Sequence, residues 1–203
     1  MWPRDLVRIP ASDRPARFVE EHVKRLSARG IQSAFQFYNI NSFETVERLM
    51  RRGVYKGPLV CNWVAIGGGM DQPHIYSLAN FLRAIPDGTV LTVESSMRNV
   101  LPVNMMGMAM GLHVRCGIED NIWNQLRTAR MTTVQQIEQL VRVAKELGRE
   151  IATATEAREI YKIGVQYNSV DETLAQLGMP AEIVMRHRTP HFAHIFSGDG
   201  YSA

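Results

Sequence analysis

A chain of 203 residues can bury a sizeable core, and one domain is the default at that length. Its 23 lysines and arginines against 20 aspartates and glutamates make it only slightly basic, and the arginines are spread among glutamates, which argues against nucleic-acid binding. No apolar run is long enough to span a bilayer, Met1-Trp2-Pro3-Arg4-Asp5 lacks the apolar core of a signal peptide, and Cys61 and Cys116 lie in apolar runs as buried thiols; these features point to a reducing cytoplasm and no membrane partner.

In chain order, residues 12–29 have helical spacing, with Phe18, Val19, Val23 and Leu26 on one face and Gly30 as a stop. Residues 31–40 read as an aromatic-rich strand. Ser42 is placed to cap a helix whose inner face is Phe43, Val46, Leu49 and Met50 and which Gly53 closes. Residues 58–66 are an almost unbroken apolar run, as in a strand covered on both faces, and Gly67-Gly68-Gly69 ends it. Asp71 and Pro73 then open a helix with Ile75, Leu78, Ala79, Leu82 and Ile85 inward; His74 falls in its first turn. After the turn Pro86-Asp87-Gly88, residues 89–93 form a third strand. Pro102 opens a Met-rich helix ending near Gly111, with Met105, Met106, Met108 and Met110 as core fillers.

Residues 112–118 are the fourth strand. Thr133 and Gln136 have capping-box spacing for a helix that buries Ile137, Leu140, Val141, Ala144 and Leu147 and stops at Gly148. Shorter helices follow at 155–163 and 169–177, the second with a capping pair Ser169 and Glu172. Beyond Pro180 a polar tail carries His187, His191 and His194. Their spacing suits one helical face and zinc, but Pro190 interrupts any such helix.

Four strands alternating with helices imply parallel pairing, in either an open doubly wound sheet or part of a closed βα barrel. In both, chemistry lies at the carboxyl ends of the strands. Those ends carry Asn39 and Asn41, the triple glycine, then Glu94, Ser95, Ser96 and Arg98, then Glu119, Asp120 and Asn121. The substrate-binding candidates are Arg98, Asn39, Gly68 and Gly69. The glycine run lacks G-x-G-x-x-G spacing, so it is either a tight, close-approach loop or an anion cradle. Arg98 reads equally as an anion clamp or a surface ion pair. In a regular strand Glu119 and Asp120 face opposite ways, so one suits a cation and the other a proton, with Arg115 on the side of Glu119. The competing reading makes Asp120 or Asn121 a helix N-cap.

The run His113-Val114-Arg115-Cys116-Gly117-Ile118-Glu119-Asp120-Asn121 resembles the β-keto acid cleavage enzyme family. Arg98 with Leu101-Pro102, Gly67-Gly68-Gly69-Met70, the helix over 140–148, Glu150-Ile151-Ala152-Thr153 and Glu156-Ala157-Arg158-Glu159-Ile160 extend the resemblance over about residues 15–163. It implies a zinc-dependent TIM barrel in which a β-keto acid and acetyl-CoA give acetoacetate and a new acyl-CoA. It also implies Glu119 as a zinc ligand and Asp120 and Arg115 as the groups for proton transfer and anion handling.

The alignment falls on strands five to eight of that barrel. The expectation is therefore about four βα units over 1–165, the second half of the barrel, and a C-terminal extension over 166–203 with a short helix and a polar tail. No His-x-His occurs in the sequence, so the zinc site is incomplete here, and Gln36 and Asn39 stand where the family usually has acids. The expected partners are a β-keto acid, acetyl-CoA, and either a second copy or a complementary barrel half covering the open sheet edges. The rival expectation is a non-catalytic half-barrel subunit or an inactive truncated remnant.

Overall fold

The computed structural model describes residues 14–97 and 100–181. Strands β1 (Ala34–Phe37), β2 (Val60–Val64), β3 (Val90–Glu94) and β4 (His113–Val114) form one parallel sheet in the order β1-β2-β3-β4. Helix α1 (Arg14–Ser27) precedes β1, and α2 (Phe43–Arg51), α3 (Ile75–Ala84) and α4 (Val100–Ala109) are the crossovers between successive strands. Helices α5 (Thr133–Glu146), α6 (Ala154–Ile160) and α7 (Val170–Gln176) follow β4. An open doubly wound sheet reverses its strand order at a switch point, whereas successive strands of a βα barrel do not. The unreversed order decides between the two architectures in favour of the barrel type. Among the described residues no helix is long and apolar enough to cross a membrane.

Alternation along the strands divides the sheet into two unlike faces. Phe35 and Phe37 are buried while Ala34 and Gln36 are exposed. Phe37, Trp63, Val93 and Val114 are in register across the four strands, and they face the helices. The expected inner face of α2 is fully buried there with Leu78 and Phe81 of α3 and Val103 of α4. Strand β2 is buried on both faces except for the half-buried Asn62, as the apolar run over 58–66 predicts, whereas β1 is covered on one face only. The opposite face carries the in-register row Gln36, Asn62, Thr92 and His113, of which Asn62, Thr92 and His113 are only half-buried.

Helix α4 approaches the sheet through Gly107. A Cβ there would lie 2.3 Å from Val93 Cγ2 and 3.2 Å from Val114 Cγ1. Gly107→Ala is expected to cost about 1–3 kcal/mol through overpacking. A urea midpoint equal to that of the parent chain would contradict this packing. The methionines divide: Met108 is buried and Met106 packs against the core, but Met105 and Met110 are exposed. At 100° per residue those four positions cannot share one helical face.

Four other expectations change. Strand β4 is far shorter than 112–118, because Asn104 Nδ2 takes Arg115 O at 2.9 Å and Gly117 O accepts from Asp120 N in a turn. The capping box of α5 is Thr132 with Gln135, one residue before the expected pair; Gln136 is instead buried and donates to Asn121 O. On α5 Ala144 is buried, but Ile137 and Leu147 are exposed and Leu140 and Val141 half-buried. Ile137, Leu140 and Val141, with Val114, Ile151 and Tyr161, help to line a cavity of about 530 Å³ that reaches Asn62 and Thr92. Ser42 precedes α2, but its side chain makes no capping bond. Helix α7 packs on α2, with Leu174 and Leu177 buried.

Candidate active site

The polar face of the sheet leads to a cluster of charges at its carboxyl end. Side chains two residues further along a strand return to the same face. Glu94 on β3 therefore stands above Thr92. Arg115 follows His113 in the same way, its N–H still bonded to Val93 O at 3.1 Å. The Arg115 Nε lies 2.7 Å from Glu94 Oε2 and 3.5 Å from Asp120 Oδ2, and Nη2 donates to Glu119 Oε2 at 2.8 Å. Two neutral side chains complete the group. Asn62 Nδ2 donates to Glu94 Oε1 and Ser96 Oγ donates to Asp120 Oδ1, both at 2.9 Å.

Burial ranks these acids. The side chains of Glu94 and Asp120 are 1% and 3% exposed, whereas Glu119 is 82% exposed and Arg115 36%. A buried carboxylate is costly unless it is paired and hydrogen-bonded. Burial pushes the Glu94 carboxyl up, and the charge of Asp120 pushes it further. The Arg115 guanidinium and the Asn62 amide pull it back, and the Glu119 charge raises it again. Three carboxylates share one guanidinium, so when all are ionised the rim carries excess negative charge and favours a further cation.

Lower on the same face Tyr161, just past α6, closes over the sheet. Its hydroxyl is 2.7 Å from Thr92 Oγ1 and its ring lies 5.3 Å from that of His113. Burial lowers the pKa of His113 from its ordinary 6.5. A depressed folded-state pKa means that the unfolded chain takes up the proton first. The stability it contributes is present above about pH 6.5 and is lost as pH falls through the folded value. Thermal unfolding is expected to move to lower temperature between pH 7 and pH 5, with a shallower dependence in His113→Asn. Parallel pH profiles for the two proteins would contradict this.

The structure brings Arg115, Glu119 and Asp120 together, but not as a regular strand would. The turn at Gly117 swings both acids onto one guanidinium, so Arg115 is not confined to the side of Glu119. Neither Asp120 nor Asn121 caps a helix: Asp120 accepts from Ser96, and Asn121 Oδ1 accepts from Trp123 N. Asn39 accepts from Asn41 N at 3.1 Å and starts a single 3-10 turn at Ile40–Ser42. Gly68 and Gly69 are exposed, with φ of 66° and 94°, and a Cβ on either would meet nothing within 4 Å. They serve a left-handed turn, not a close approach. That turn returns the chain so that Asp71 accepts from Trp63 Nε1 at 2.7 Å, and α3 is capped by His74 Nδ1, not by Asp71 or Pro73. Arg98, His187, His191 and His194 lie outside the described residues. Glu94 and Ser96 were legible as rim residues, but Asn62 and Asn104 were not. Their one signal is an amide inside an otherwise apolar strand or helix.

Comparison with known proteins adds the following. A sequence model of the family described as beta-keto acid cleavage enzyme matches residues 9–163. The chain is 30% identical over 141 residues to the 3-keto-5-aminohexanoate cleavage enzyme of Acetoanaerobium sticklandii, covering 69% of this chain and 51% of that protein. It is 30% identical over 140 residues to the enzyme of the same name from Fusobacterium nucleatum, with the same coverage of 69% and 51%. It is 26% identical over 151 residues to the 3,5-dioxohexanoate:acetyl-CoA acetone transferase of Paraburkholderia graminis, covering 71% and 48%. The chain thus spans about half the length of the curated relatives it matches.

Proposed function

Because the chain belongs to the β-keto acid cleavage enzyme family, we propose that it supplies one corner of an active site in which a β-keto acid and acetyl-CoA yield acetoacetate and a new acyl-CoA. The observation that carries this reading is the convergence of Glu94, Glu119 and Asp120 on Arg115 at the carboxyl end of a parallel sheet, where βα barrels place their chemistry. The names of the relatives, a keto-acid cleavage enzyme and an acetyl-CoA acetone transferase, support the substrate class.

In this reading Asp120 takes and returns the proton. Ser96 fixes its Oδ1, while Oδ2 is buried with no hydrogen-bond donor among the described residues. Arg115 orients the anionic substrate; an arginine has five N–H donors, and the contacts to Glu94 and Glu119 engage two of its nitrogens. Asn39, Gly68 and Gly69 are assigned to substrate binding, and so, on the sequence alone, is Arg98. Breaking a carbon–carbon bond beside a ketone builds negative charge on oxygen, which a divalent cation stabilises.

Zinc is the cation the family resemblance implies, and the residues of this chain do not hold it unaided. A catalytic zinc generally takes three protein ligands. The sequence has no His-x-His, and among the described residues no group of three His, Cys, Asp or Glu side chains is placed to hold a metal. Glu119 is the rim acid that burial does not fix, and it is assigned as one ligand, with the others coming from the complementary barrel half. The half-exposed apolar face of α5 and the outer edges of β1 and β4 are where that half, or a second copy, would pack. A reducing cytoplasm remains the proposed setting, on the two free thiols.

One observation favours a non-catalytic half-barrel: Gln36 and Asn39 are neutral where the resemblance implies acids. The chain, assembled with its complementary half, should be incubated with acetyl-CoA and a panel of β-keto acids, and the products weighed by mass spectrometry. Acetoacetate with an equal amount of the matching acyl-CoA is the expected result. An assembled barrel that forms no acyl-CoA from any of them would select the non-catalytic reading.

A further inference from the structure

Arg115, Glu119 and Asp120 sit on one short loop, and side chains of the two flanking helices hold its backbone. Asn104 of α4 donates to Arg115 O at 2.9 Å, Ile118 N donates to Thr133 Oγ1 of α5 at 3.3 Å, and Gln136 of α5 donates to Asn121 O. These contacts fall at both ends of the loop and at its middle. The backbone adds the turn onto Gly117 O and a bond from Met97 N to Asp120 O at 2.8 Å. Asn104 is 0% exposed, in a helix whose other residues are all apolar, and its Oδ1 has no donor among the described residues. A buried amide left half-satisfied costs stability that an apolar residue there would not. Packing therefore does not account for an asparagine at this position, whereas its bond to Arg115 O does. Gln136 is buried as well. Both amides line a cavity between α4, the loop and α5 of about 10 Å³, the space of a single water.

We infer that Asn104 and Gln136 are positioning residues of the active site: from α4 and α5 they grip the backbone at Arg115 and Asn121, and so set where the guanidinium and the two loop acids meet. This rests on the reading of that rim as the active site. The sheet does not do the same work, because β4 ends at Val114. Arg115 N still reaches Val93 O, but the Arg115 carbonyl turns to the helix. The contact of Arg115 with Glu119 adds little, since the two side chains are 36% and 82% exposed and exposed ion pairs are weak. Remove the Asn104 donor, and the Arg115 carbonyl loses its partner inside packed space, so the residue settles elsewhere. A displacement of about 1 Å at a catalytic group can cost about 10²-fold in rate. Gln136 acts in the same way on the far end, next to Asp120.

The test has two arms. In the first, backbone hydrogen exchange of the chain itself is followed by NMR in Asn104→Leu and Gln136→Leu, where leucine fills the space of the amide and brings no donor. Exchange at Ile118, Asp120 and Asn121 is expected to quicken about 10-fold in each variant, as for one lost hydrogen bond, while the amides of β2 and β3 keep their parental rates. The side-chain Nε–H resonance of Arg115 should shift in both. A merely structural role would quicken exchange across the whole sheet, and that result would overturn the inference, as would parental exchange in the loop. Should Asn104→Leu not fold, Gln136→Leu, on the other helix, decides. In the second arm, turnover of the assembled barrel should fall about 10²-fold in Asn104→Leu and in Gln136→Leu. Parental turnover in both would overturn the inference. An assembled parent protein with no turnover would instead count against the proposed reaction, and the exchange arm would still judge the grip of α4 and α5 on the loop.

Discussion

Arg115→Ala is expected to destabilise the chain by about 3 kcal/mol, measured as the loss in unfolding free energy by urea titration. The cause is the acid left behind. Glu94 is 1% exposed, and among the described residues Arg115 is the positive charge within salt-bridge reach of it. Removing one partner of a buried pair strands the other without compensation, and this is where buried ion pairs show their largest effects. The value belongs at the lower end of the range because Arg115 is itself 36% exposed and water screens part of the interaction. The double variant Glu94→Leu with Arg115→Ala should recover only part of the loss, because Glu94 is then no longer stranded while Asp120, 3% exposed, still lacks Arg115. A single variant as stable as the parent would show that Glu94 is not held ionised by Arg115.

Asp120→Asn should lower turnover of the assembled barrel by about 10²–10⁴-fold while leaving the fold intact. The substitution preserves shape. Ser96 Oγ can still donate to the remaining Oδ1, and the backbone bond from Met97 N to Asp120 O does not involve the side chain. What is lost is a carboxylate able to take a proton, since the new amide nitrogen is a donor only. Circular dichroism and unfolding midpoints close to those of the parent, combined with collapsed turnover, would assign the effect to chemistry. Parental turnover in Asp120→Asn would remove Asp120 from the proton-transfer role.

Periodicity made most of the frame legible. Phe43, Val46, Leu49 and Met50 follow helical spacing and all four are buried. The apolar runs around Cys61 and Leu91 become β2 and β3. What periodicity cannot report is what covers a face. The apolar stripe of α5 reads as buried, yet Ile137 is exposed, because burial depends on neighbours that lie outside that segment. Local spacing can also be degenerate. Two threonines followed by two glutamines satisfy the capping-box pattern at both Thr132–Gln135 and Thr133–Gln136, and only the backbone decides between them. At the rim, the residue types were legible and their geometry was not. Strand alternation separates Glu119 from Asp120, whereas a turn closed by Gly117 O brings both to Arg115. Glu94 was visible as a strand-end acid, but its importance depends on Asn62, 32 residues away in the chain, and nothing in local spacing joins those two positions.

The account stands on the rim being one part of a shared metal and acyl-transfer site. The most direct measurement is the zinc content and acetyl-CoA-dependent acetoacetate formation of the purified chain, alone and after addition of the complementary four βα units. The prediction is that the chain alone holds no stoichiometric zinc and forms no acetoacetate, and that it gains both on assembly. Stoichiometric, tightly held zinc in the isolated chain would contradict it.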